Sequence, residues 1–191
     1  MLENSHNAVK IPSSIDFSVI KLYNKRIIAN IQIGCVKMIK VAFCCHGNIC
    51  RSTMAQSVFE HMVKNNGLEN EFVIDSFATS TEEIGNPPHH GTVSKLRQMG
   101  IPVIPHRAKQ ITRSDYGKFD YIIGMDDWNI KNLGRIFGGD PDSKIYKLLS
   151  FAGSERDISD PWYTGNFDDT YNDVAEGCDA FLRCMKTSGQ I

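Results

Sequence analysis

The sequence predicts an α/β protein, a three-layer sandwich in which helices cover both faces of a central four-stranded parallel sheet. Short apolar runs alternate along the chain with segments whose apolar residues recur at helical spacing. The strand-like runs are apolar throughout and do not alternate with polar residues, which is typical of parallel strands buried on both faces. Ligands of such sheets bind at the carboxyl ends of the strands, so we expect the functional site at that edge.

The first half of the chain predicts two strands, two helices and a long loop. In order, these are a strand at residues 39–44, a helix at 53–63, a strand at 72–76, a loop at 79–90 and a helix at 92–99. Helical spacing turns one apolar set inward in each helix: Met54, Val58 and Met62 or Ala55, Phe59 and Met62 in the first, and Val93, Leu96 and Met99 in the second. Gly67 and Gly100 can end the helices, and Pro87-Pro88 exclude regular structure from the loop.

The second half continues the alternation. In order, it predicts a weak strand candidate at residues 101–104, a strong strand at 119–125, a helix at 126–137, a strand at 144–149, a loop at 157–163 and a closing helix at 167–185. Acids at the start of the third helix suit its positive end. The residue before Pro161 is pushed out of helical conformation, which indicates the loop. The closing helix has a stripe for burial, formed by Val174, Cys178, Phe181 and Leu182.

The first 37 residues differ from the rest. Residues 1–18 are polar and show no periodicity, and Pro12 interrupts them. The first convincing strand begins only after Met38. We expect residues 1–37 to be an N-terminal extension, either flexible or upstream of the true start at Met38, and residues 38–191 to form one folded domain.

Composition excludes several classes of partner. The 191 residues carry a net charge of −1, so no basic excess indicates nucleic acid. No stretch of about 18 apolar residues could span a membrane. The six cysteines show no zinc-ligand spacing, and the adjacent Cys44 and Cys45 suit a disulfide framework poorly. We therefore expect no nucleic acid, membrane or metal partner, and free thiols in a reducing cytoplasm.

The segment between the first strand and the first helix predicts an anion site. A helix N-terminus presents free N–H groups and positive potential. The backbone from His46 to Cys50 can wrap a tetrahedral dianion, and Gly47 lets it approach closely. Arg51 can grip two phosphate oxygens at once. The predicted phosphate-binding residues are His46, Gly47, Asn48, Ile49, Cys50 and Arg51.

A cysteine six residues before an arginine adds chemistry to this site. The positive field of the loop favours the thiolate of Cys45, which is the nucleophilic form. Attack on phosphorus would give a phosphocysteine, which water then hydrolyses without a metal. The leaving group needs a proton, and Asp160 on the proline-stiffened loop is the best candidate acid. Asp126 and Asp127 are rivals, but at a helix start they suit capping better.

The chain resembles the low-molecular-weight protein tyrosine phosphatases over about residues 38–188. Their signature V-C-x-G-N-I-C-R-S is matched from Cys44 to Ser52, apart from Cys44 in the place of valine. The likeness continues through Asp75-Ser76, Ala78-Thr79-Ser80, Glu83 to Pro88, His106 to Gln110, Phe119 to Ile122, Met125-Asp126 and Asp160-Pro161. The resemblance implies a flavodoxin-like fold and hydrolysis of phosphotyrosine in proteins or peptides, with inorganic phosphate as product and no cofactor. It is also compatible with a monomer or weak dimer.

The resemblance assigns further roles. It implies Cys45 as nucleophile, Arg51 as phosphate clamp and Asp160 as acid and then base. A supporting network of Asn48, Ser52, Ser76 and His106 would hold the loop and stabilise the thiolate. Cys50 would be the redox partner that forms a reversible disulfide with Cys45 under oxidant. The pocket rim would consist of Ile49, Glu82, Trp162 and Tyr163.

Departures from the family pattern concern substrate choice. Thr53 stands where many members have proline, and Trp162 where they commonly have tyrosine. Trp162 can still stack on an aromatic ring. Glu82 replaces an aromatic residue of several members, and its carboxylate should disfavour acidic phosphopeptides.

Three other functions remain open. Arsenate reductases of this fold need further cysteines to relay a disulfide, and only Cys178 and Cys184 are distant ones in the predicted domain. Protein arginine phosphatases usually carry threonine where Ile49 stands, and the branched apolar Ile49 favours a flat phenyl ring. A non-catalytic phosphate-binding module would be expected to lose the cysteine, the arginine or the aspartate, and none is missing.

Overall fold

The computed structural model describes residues 38–191, so the predicted extension at residues 1–37 lies outside the described part. The strands are β1 Ile39–Cys45, β2 Phe72–Ala78, β3 Tyr121–Gly124 and β4 Ile145–Lys147. The helices are α1 Arg51–Asn65, α2 His90–Gln98, α3 Asp127–Phe137, the short α4 Pro161–Thr164 and α5 Phe167–Thr187. Two 3-10 segments, Arg113–Lys118 and Leu148–Ala152, precede β3 and follow β4.

The four strands form one parallel sheet, as the sequence predicts, and their order is β2-β1-β3-β4. β1 lies inside the sheet and pairs with β2 along its whole length, from Ile39 opposite Phe72 to Cys45 opposite Ala78. All carboxyl ends therefore reach the same edge. β1 delivers Cys45 to the middle of that edge.

Helices cover both faces of this sheet. Successive strand residues point to opposite sides, so Val41, Phe43 and Cys45 enter one apolar cluster while Ala42 and Cys44 enter another. The first cluster includes buried residues of α1 and α5, and the second those of α3. The three-layer sandwich is therefore confirmed.

The helix faces agree with the sequence except in α2. Met54, Ala55, Val58 and Phe59 of α1 are all buried, so both candidate sets point inward, and the predicted stripe of α5 is buried in full. In α2, Thr92 and Leu96 are buried whereas Met99 is exposed, because α2 ends at Gln98 before the predicted stripe is complete.

Two predicted elements were wrong. Residues 101–104 form no strand, and Gln110 alone makes an isolated bridge to Ala78. Pro102 cannot donate a backbone hydrogen bond to a sheet, and Pro105 restricts the residue before it. The predicted loop at 157–163 is irregular only up to Asp160, since Pro161–Thr164 form the helical turn α4. Proline suits the first position of a helix, which its fixed φ pre-organises.

Candidate active site

The predicted site residues meet at the carboxyl edge of the sheet. We call residues 45–52, from the end of β1 into the first turn of α1, the phosphate loop. Residues 154–160, which have no regular structure, are the acid loop. One pocket is lined by Cys45, His46, Gly47, Ile49, Cys50, Glu82, Glu83, Asp160, Trp162 and Tyr163. Two separate sequence segments, the phosphate loop and the acid loop, therefore face each other across it.

The backbone of the phosphate loop is open to an anion. Within residues 38–191, no protein atom accepts a hydrogen bond from the N–H groups of His46, Gly47, Ile49 or Cys50. The N–H of Asn48 instead donates to Cys45 Sγ at 3.3 Å. Asn48 has φ of +58°, a left-handed conformation that asparagine tolerates better than most residues. The loop thus curves around the thiol and leaves its other N–H groups free.

Asn48 fixes the loop from inside with every hydrogen-bonding position of its amide. Its Oδ1 accepts from the Lys109 backbone N–H at 3.1 Å and lies 2.7 Å from His106 Nε2. The Lys109 N–H can only donate, so the Asn48 atom that it contacts is the acceptor Oδ1. His106, which contacts the same oxygen, must therefore donate through Nε2. Asn48 Nδ2 donates to Ser52 Oγ at 2.9 Å and to Ser76 Oγ at 3.0 Å. The supporting group predicted from sequence therefore meets in one fully satisfied network.

The direction of these bonds decides what Ser52 does. Its oxygen accepts from Asn48, so its hydrogen is available for Cys45 Sγ, 3.1 Å away. Ser76 likewise accepts from Asn48 and donates to Gln56 Oε1 at 2.7 Å. Cys45 Sγ thus receives the hydroxyl hydrogen of Ser52 and the N–H of Asn48. Two donors aimed at one sulfur stabilise a thiolate.

Arg51 is anchored to the protein mainly through Nη1 of its guanidinium. The side chain is 3% exposed. Nη1 donates to Asp126 Oδ2 at 2.5 Å and to the Ile158 carbonyl at 3.1 Å, while Nη2 donates to Asp160 Oδ2 at 2.6 Å. Nε is buried and has no partner in the described part of the chain. Burial disfavours the charged form of the Arg51 guanidinium. The negative charges of Cys45, Asp160 and Asp126 outweigh this effect and raise the pKa of Arg51.

The edge formed by Nε and Nη2 is therefore the one available to a phosphate. Nη1 is anchored to the protein, whereas Nε lacks an acceptor and Nη2 touches only Asp160. A planar guanidinium edge matches two oxygens of a phosphate. The carboxylate of Asp160 occupies one of the places that phosphate oxygens would take.

Asp160 caps α4 and faces the phosphate loop. Its Oδ1 accepts from the Trp162 N–H at 3.1 Å, which fixes the carboxyl group at the pocket. Asp126 also has two contacts, because its Oδ1 accepts from the Asn129 N–H at 2.6 Å in addition to the Arg51 contact. Asp126 is thus the cap that its position predicts. Its ion pair with Arg51 was not predicted.

The two cysteines beside Cys45 are held as thiols. Burial, together with the negative charges of Cys45 and Asp160, raises the pKa of Cys50 to about 12. Burial and the charge of Cys45 also raise the pKa of Cys44 well above its ordinary value. Cys44, Cys45, Cys50, Cys178 and Cys184 are all free. Nucleophilic chemistry in this pocket therefore falls to Cys45.

The rim combines carboxylates with exposed aromatic rings. His46 Nε2 lies 3.0 Å from Glu82 Oε2, so the phosphate loop contacts the loop after β2. Trp162 and Tyr163 are both exposed, whereas Ile49 is buried. A Cβ at Gly47 would lie 3.0 Å from Glu83 Cγ, so glycine permits the close passage of Glu83. The pocket lining therefore combines apolar side chains with carboxylates.

Sequence reasoning missed Gln56 and the second role of Asp126. Gln56 lies four residues after Ser52 on the same face of α1, and this spacing could have found it. No local pattern reveals that Asp126 meets Arg51, because the contact joins residues 75 positions apart. Among residues 38–191, no group of three His, Cys, Asp or Glu side chains is placed to hold a metal ion. No helix in this part of the chain is long and apolar enough to cross a membrane.

These features define a class of protein: a cysteine–arginine phosphate loop on a parallel sheet, with an aspartate opposite. The family model described as low molecular weight phosphotyrosine protein phosphatase matches residues 40–190. The chain belongs to this family.

Relatives and solved structures agree with this assignment. YfkJ of Bacillus subtilis, a low molecular weight protein-tyrosine-phosphatase, is 39% identical over 156 residues, which is 81% of this chain and 100% of that protein. Its crystal structure matches with a TM-score of 0.77 at 40% identity, covering 80% of this chain and 97% of that one. The low molecular weight phosphotyrosine protein phosphatase of Saccharomyces cerevisiae is 43% identical over 142 residues, covering 70% and 86%. DARP, a drosophila arginine phosphatase, has a TM-score of 0.71 at 30% identity, covering 78% and 98%.

Proposed function

We propose that this protein hydrolyses phosphotyrosine in proteins or peptides through a phosphocysteine on Cys45. The observation that carries this proposal is the orientation of the network around Cys45. Asn48 and Ser52 direct two hydrogens at the sulfur, and Arg51 keeps one donor edge for the phosphate. A buried guanidinium whose Nε has no partner costs folding free energy, which indicates that this edge serves a ligand.

The first step transfers the phosphoryl group to sulfur. The dianion binds the free N–H groups of the phosphate loop and the Nε and Nη2 edge of Arg51, which releases Asp160. Asp160 takes up a proton once it has left Arg51. Cys45 Sγ then attacks phosphorus, the P–O bond to the tyrosine breaks, and Asp160 gives that proton to the leaving oxygen. The positive loop stabilises the charge spread over the equatorial oxygens. This step needs no metal ion.

The second step returns the enzyme to its starting state. Asp160, now a carboxylate, takes a proton from water as the water attacks phosphorus. The P–S bond breaks, inorganic phosphate leaves, and Cys45 is again a thiolate supported by Ser52. The same carboxyl group therefore serves as acid and then as base.

The shape of the pocket favours an aryl phosphate. Ile49, Trp162 and Tyr163 line the pocket, and an apolar side chain with two aromatic rings suits a phenyl ring. Phosphoarginine is the second candidate, because DARP shares the fold. An arsenate reductase relay is disfavoured, because Cys178 is buried in α5 and its pKa is raised by burial and by Asp179.

Steady-state kinetics test this function. The purified chain should hydrolyse p-nitrophenyl phosphate in the presence of a chelator, and should turn over a phosphotyrosine peptide faster than a matched phosphoarginine peptide. Faster turnover of phosphoarginine, or activity that depends on added metal, would contradict the proposal.

The thiols suggest a location and a mode of regulation. We place the protein in the cytoplasm, where Cys45 stays reduced. Under mild peroxide, Cys50 would trap oxidised Cys45 as a disulfide that a thiol reductant reverses. Wild-type activity should then recover after reduction, whereas that of a Cys50→Ser variant should recover less.

A further inference from the structure

Strand β4 ends in a buried lysine that no step above uses. The side chain of Lys147 is 7% exposed, and lysine is seldom buried without partners. Its ammonium has three donors, which reach Asp127 Oδ1 at 2.8 Å, Asp157 Oδ1 at 3.0 Å and the Glu155 carbonyl. Burial disfavours the charge, but these two carboxylates outweigh it and raise the pKa of Lys147. Lys147 is therefore charged and fully bonded.

The partners of Lys147 adjoin the groups that anchor Arg51. Asp127 follows Asp126 in sequence, and Asp157 precedes Ile158. Asp126 and Ile158 are the two groups that accept from Arg51 Nη1. One ammonium thus ties together the two chain segments that fix the guanidinium.

The acid loop depends on such contacts because it has no regular structure. Besides the Lys147 contacts, the Asp127 N–H donates to Asp157 Oδ1 at 3.2 Å and the Ile158 N–H donates to the Met125 carbonyl at 2.9 Å. Thr170 of α5 donates to the Ser159 carbonyl at 3.1 Å. Lys147 supplies the only cation that binds residues 155–157 from the sheet side, within the described part of the chain.

Lys147 also changes the charge balance beside the phosphate site. Four carboxylates converge there: Asp126, Asp127, Asp157 and Asp160. Arg51 and Lys147 are the two cations that contact them at this edge. Without Lys147, the net charge that meets an incoming dianion becomes more negative by one.

We propose that Lys147 is a positioning residue for Arg51 and the acid loop. This inference rests on the proposed function, because it gives Lys147 a role in phosphate binding and in leaving-group protonation. It requires that loss of the ammonium weakens phosphate binding and misplaces Asp160 while the fold persists. The fold should persist because Asp127 and Asp157 are 79% and 48% exposed, and can be hydrated.

The test compares Lys147→Met with the wild-type full chain. We expect phosphate affinity, measured by calorimetry with inorganic phosphate, and kcat for p-nitrophenyl phosphate each to fall about tenfold, since small misplacements of catalytic groups have effects of this size. With phenyl phosphate, whose leaving group needs the proton more, the loss in kcat should be larger. A merely structural role would not change this leaving-group dependence.

Matched variants separate position from stability. Lys144→Met removes a half-buried lysine of the same strand region, at the opposite end of the sheet, where it pairs with Asp142. It should leave phosphate affinity unchanged. Lys147→Arg keeps the charge and should restore most of the affinity. If Lys147→Met fails to fold, Asp157→Asn should show the same losses to a smaller degree.

Two results would overturn the proposal: wild-type phosphate affinity and kcat in folded Lys147→Met and Asp157→Asn, or equal losses in Lys144→Met. Failure of the proposed function would give a different experimental result from failure of the role of Lys147. In that case the wild type lacks turnover, while calorimetry still reports whether Lys147 supports phosphate binding.

Discussion

At the scale of single residues, Asn48 determines the geometry of the phosphate loop. Its amide uses both donors and both acceptor positions inside the protein, and its backbone holds a left-handed conformation. Because the Asn48 amide donates to the Ser52 oxygen, the hydroxyl hydrogen of Ser52 points towards the Cys45 sulfur. A side chain that merely fills the space would leave the surrounding groups without partners.

Asn48→Ala should therefore damage both stability and catalysis. The backbone N–H of Lys109 and the hydroxyls around it lose partners, which costs about 1–3 kcal/mol for each buried group left unsatisfied. We expect a lower melting temperature and a kcat reduced by about tenfold or more, since the thiolate loses its ordered donor. Asn65→Ala, at an exposed residue whose side chain hydrogen-bonds to His61, is the control and should change neither quantity. Unchanged kcat in folded Asn48→Ala would contradict this account.

Glu82 offers a test of substrate choice at the same scale. Its exposed carboxylate lies beside His46 at the pocket mouth, where it would repel acidic side chains flanking a phosphotyrosine. Glu82→Gln should raise kcat/KM for acidic phosphopeptides about two- to threefold at low salt, as expected for exposed charges. The gain should shrink at high salt.

The control for this measurement is Glu69→Gln, an exposed acid in the turn before β2. Equal gains in both variants would assign the effect to net charge, and no gain in Glu82→Gln would contradict the role of the rim.

The meeting of Cys45, Arg51 and Asp160 at one site could be predicted from sequence, because local features mark each of them. Cys45 and Arg51 are six positions apart, and Asp160 is marked by its proline. Gln56 and the second contact of Asp126 could not be assigned, since they depend on how α1 and α3 meet at the sheet edge. Contacts between distant segments follow from packing, which no local pattern encodes.

At the scale of elements, the packing of α5 against the end of the sheet depends on a glycine. A Cβ at Gly177 would lie 2.6 Å from Leu148 Cγ, in the 3-10 segment that follows β4. Gly134 of α3 is also a helical glycine, but a Cβ there would meet nothing within 4 Å. The two positions form a natural pair for experiment.

Gly177→Ala should lower the melting temperature, because overpacking costs typically about 1–3 kcal/mol. Gly134→Ala should leave it unchanged or raise it, since alanine is favoured over glycine in a helix by about 1 kcal/mol. Thermal unfolding followed by circular dichroism measures both. A stabilised Gly177→Ala would show that α5 is free to shift.

Periodicity predicted the strong elements well and the short ones poorly. The burial stripe of α5 could be predicted because twenty-one residues give the pattern room to repeat. The weak candidate at residues 101–104 was wrong because four apolar letters cannot distinguish a strand from a buried loop. The turn α4 was missed because Asp160 caps a helix that has only four residues.

At the scale of the whole molecule, two histidines predict how stability varies with pH. Burial and the charge of Lys109 lower the pKa of His106, and burial and His90 lower that of His89. The unfolded chain therefore binds protons more readily than the folded protein in mild acid. Their contribution is fully present above the ordinary histidine pKa of about 6.5, and is lost as pH falls from there towards the lowered folded values.

The melting temperature should accordingly fall as pH is lowered from about 7.5 to about 5. His106→Gln should reduce the slope, because glutamine does not titrate. His61→Gln replaces a partly exposed histidine of α1 that contacts Asn65, and it is the control. An unchanged slope in His106→Gln would contradict the assigned origin.

The layer architecture could be predicted from sequence, but the order of strands could not. Continuous apolar runs separated by helices indicate a covered parallel sheet. The order β2-β1-β3-β4 depends on which faces the helices α1 and α3 cover. That choice places Cys45 in the middle of the edge and brings the acid loop opposite it.

The central claim is that Cys45 carries the phosphoryl group during turnover. Acid quenching during turnover of p-nitrophenyl phosphate, followed by peptide mapping with mass spectrometry, tests it most directly. We expect phosphate on the peptide containing Cys45 and no turnover in Cys45→Ser. Phosphate on another residue, or turnover retained by Cys45→Ser, would contradict it.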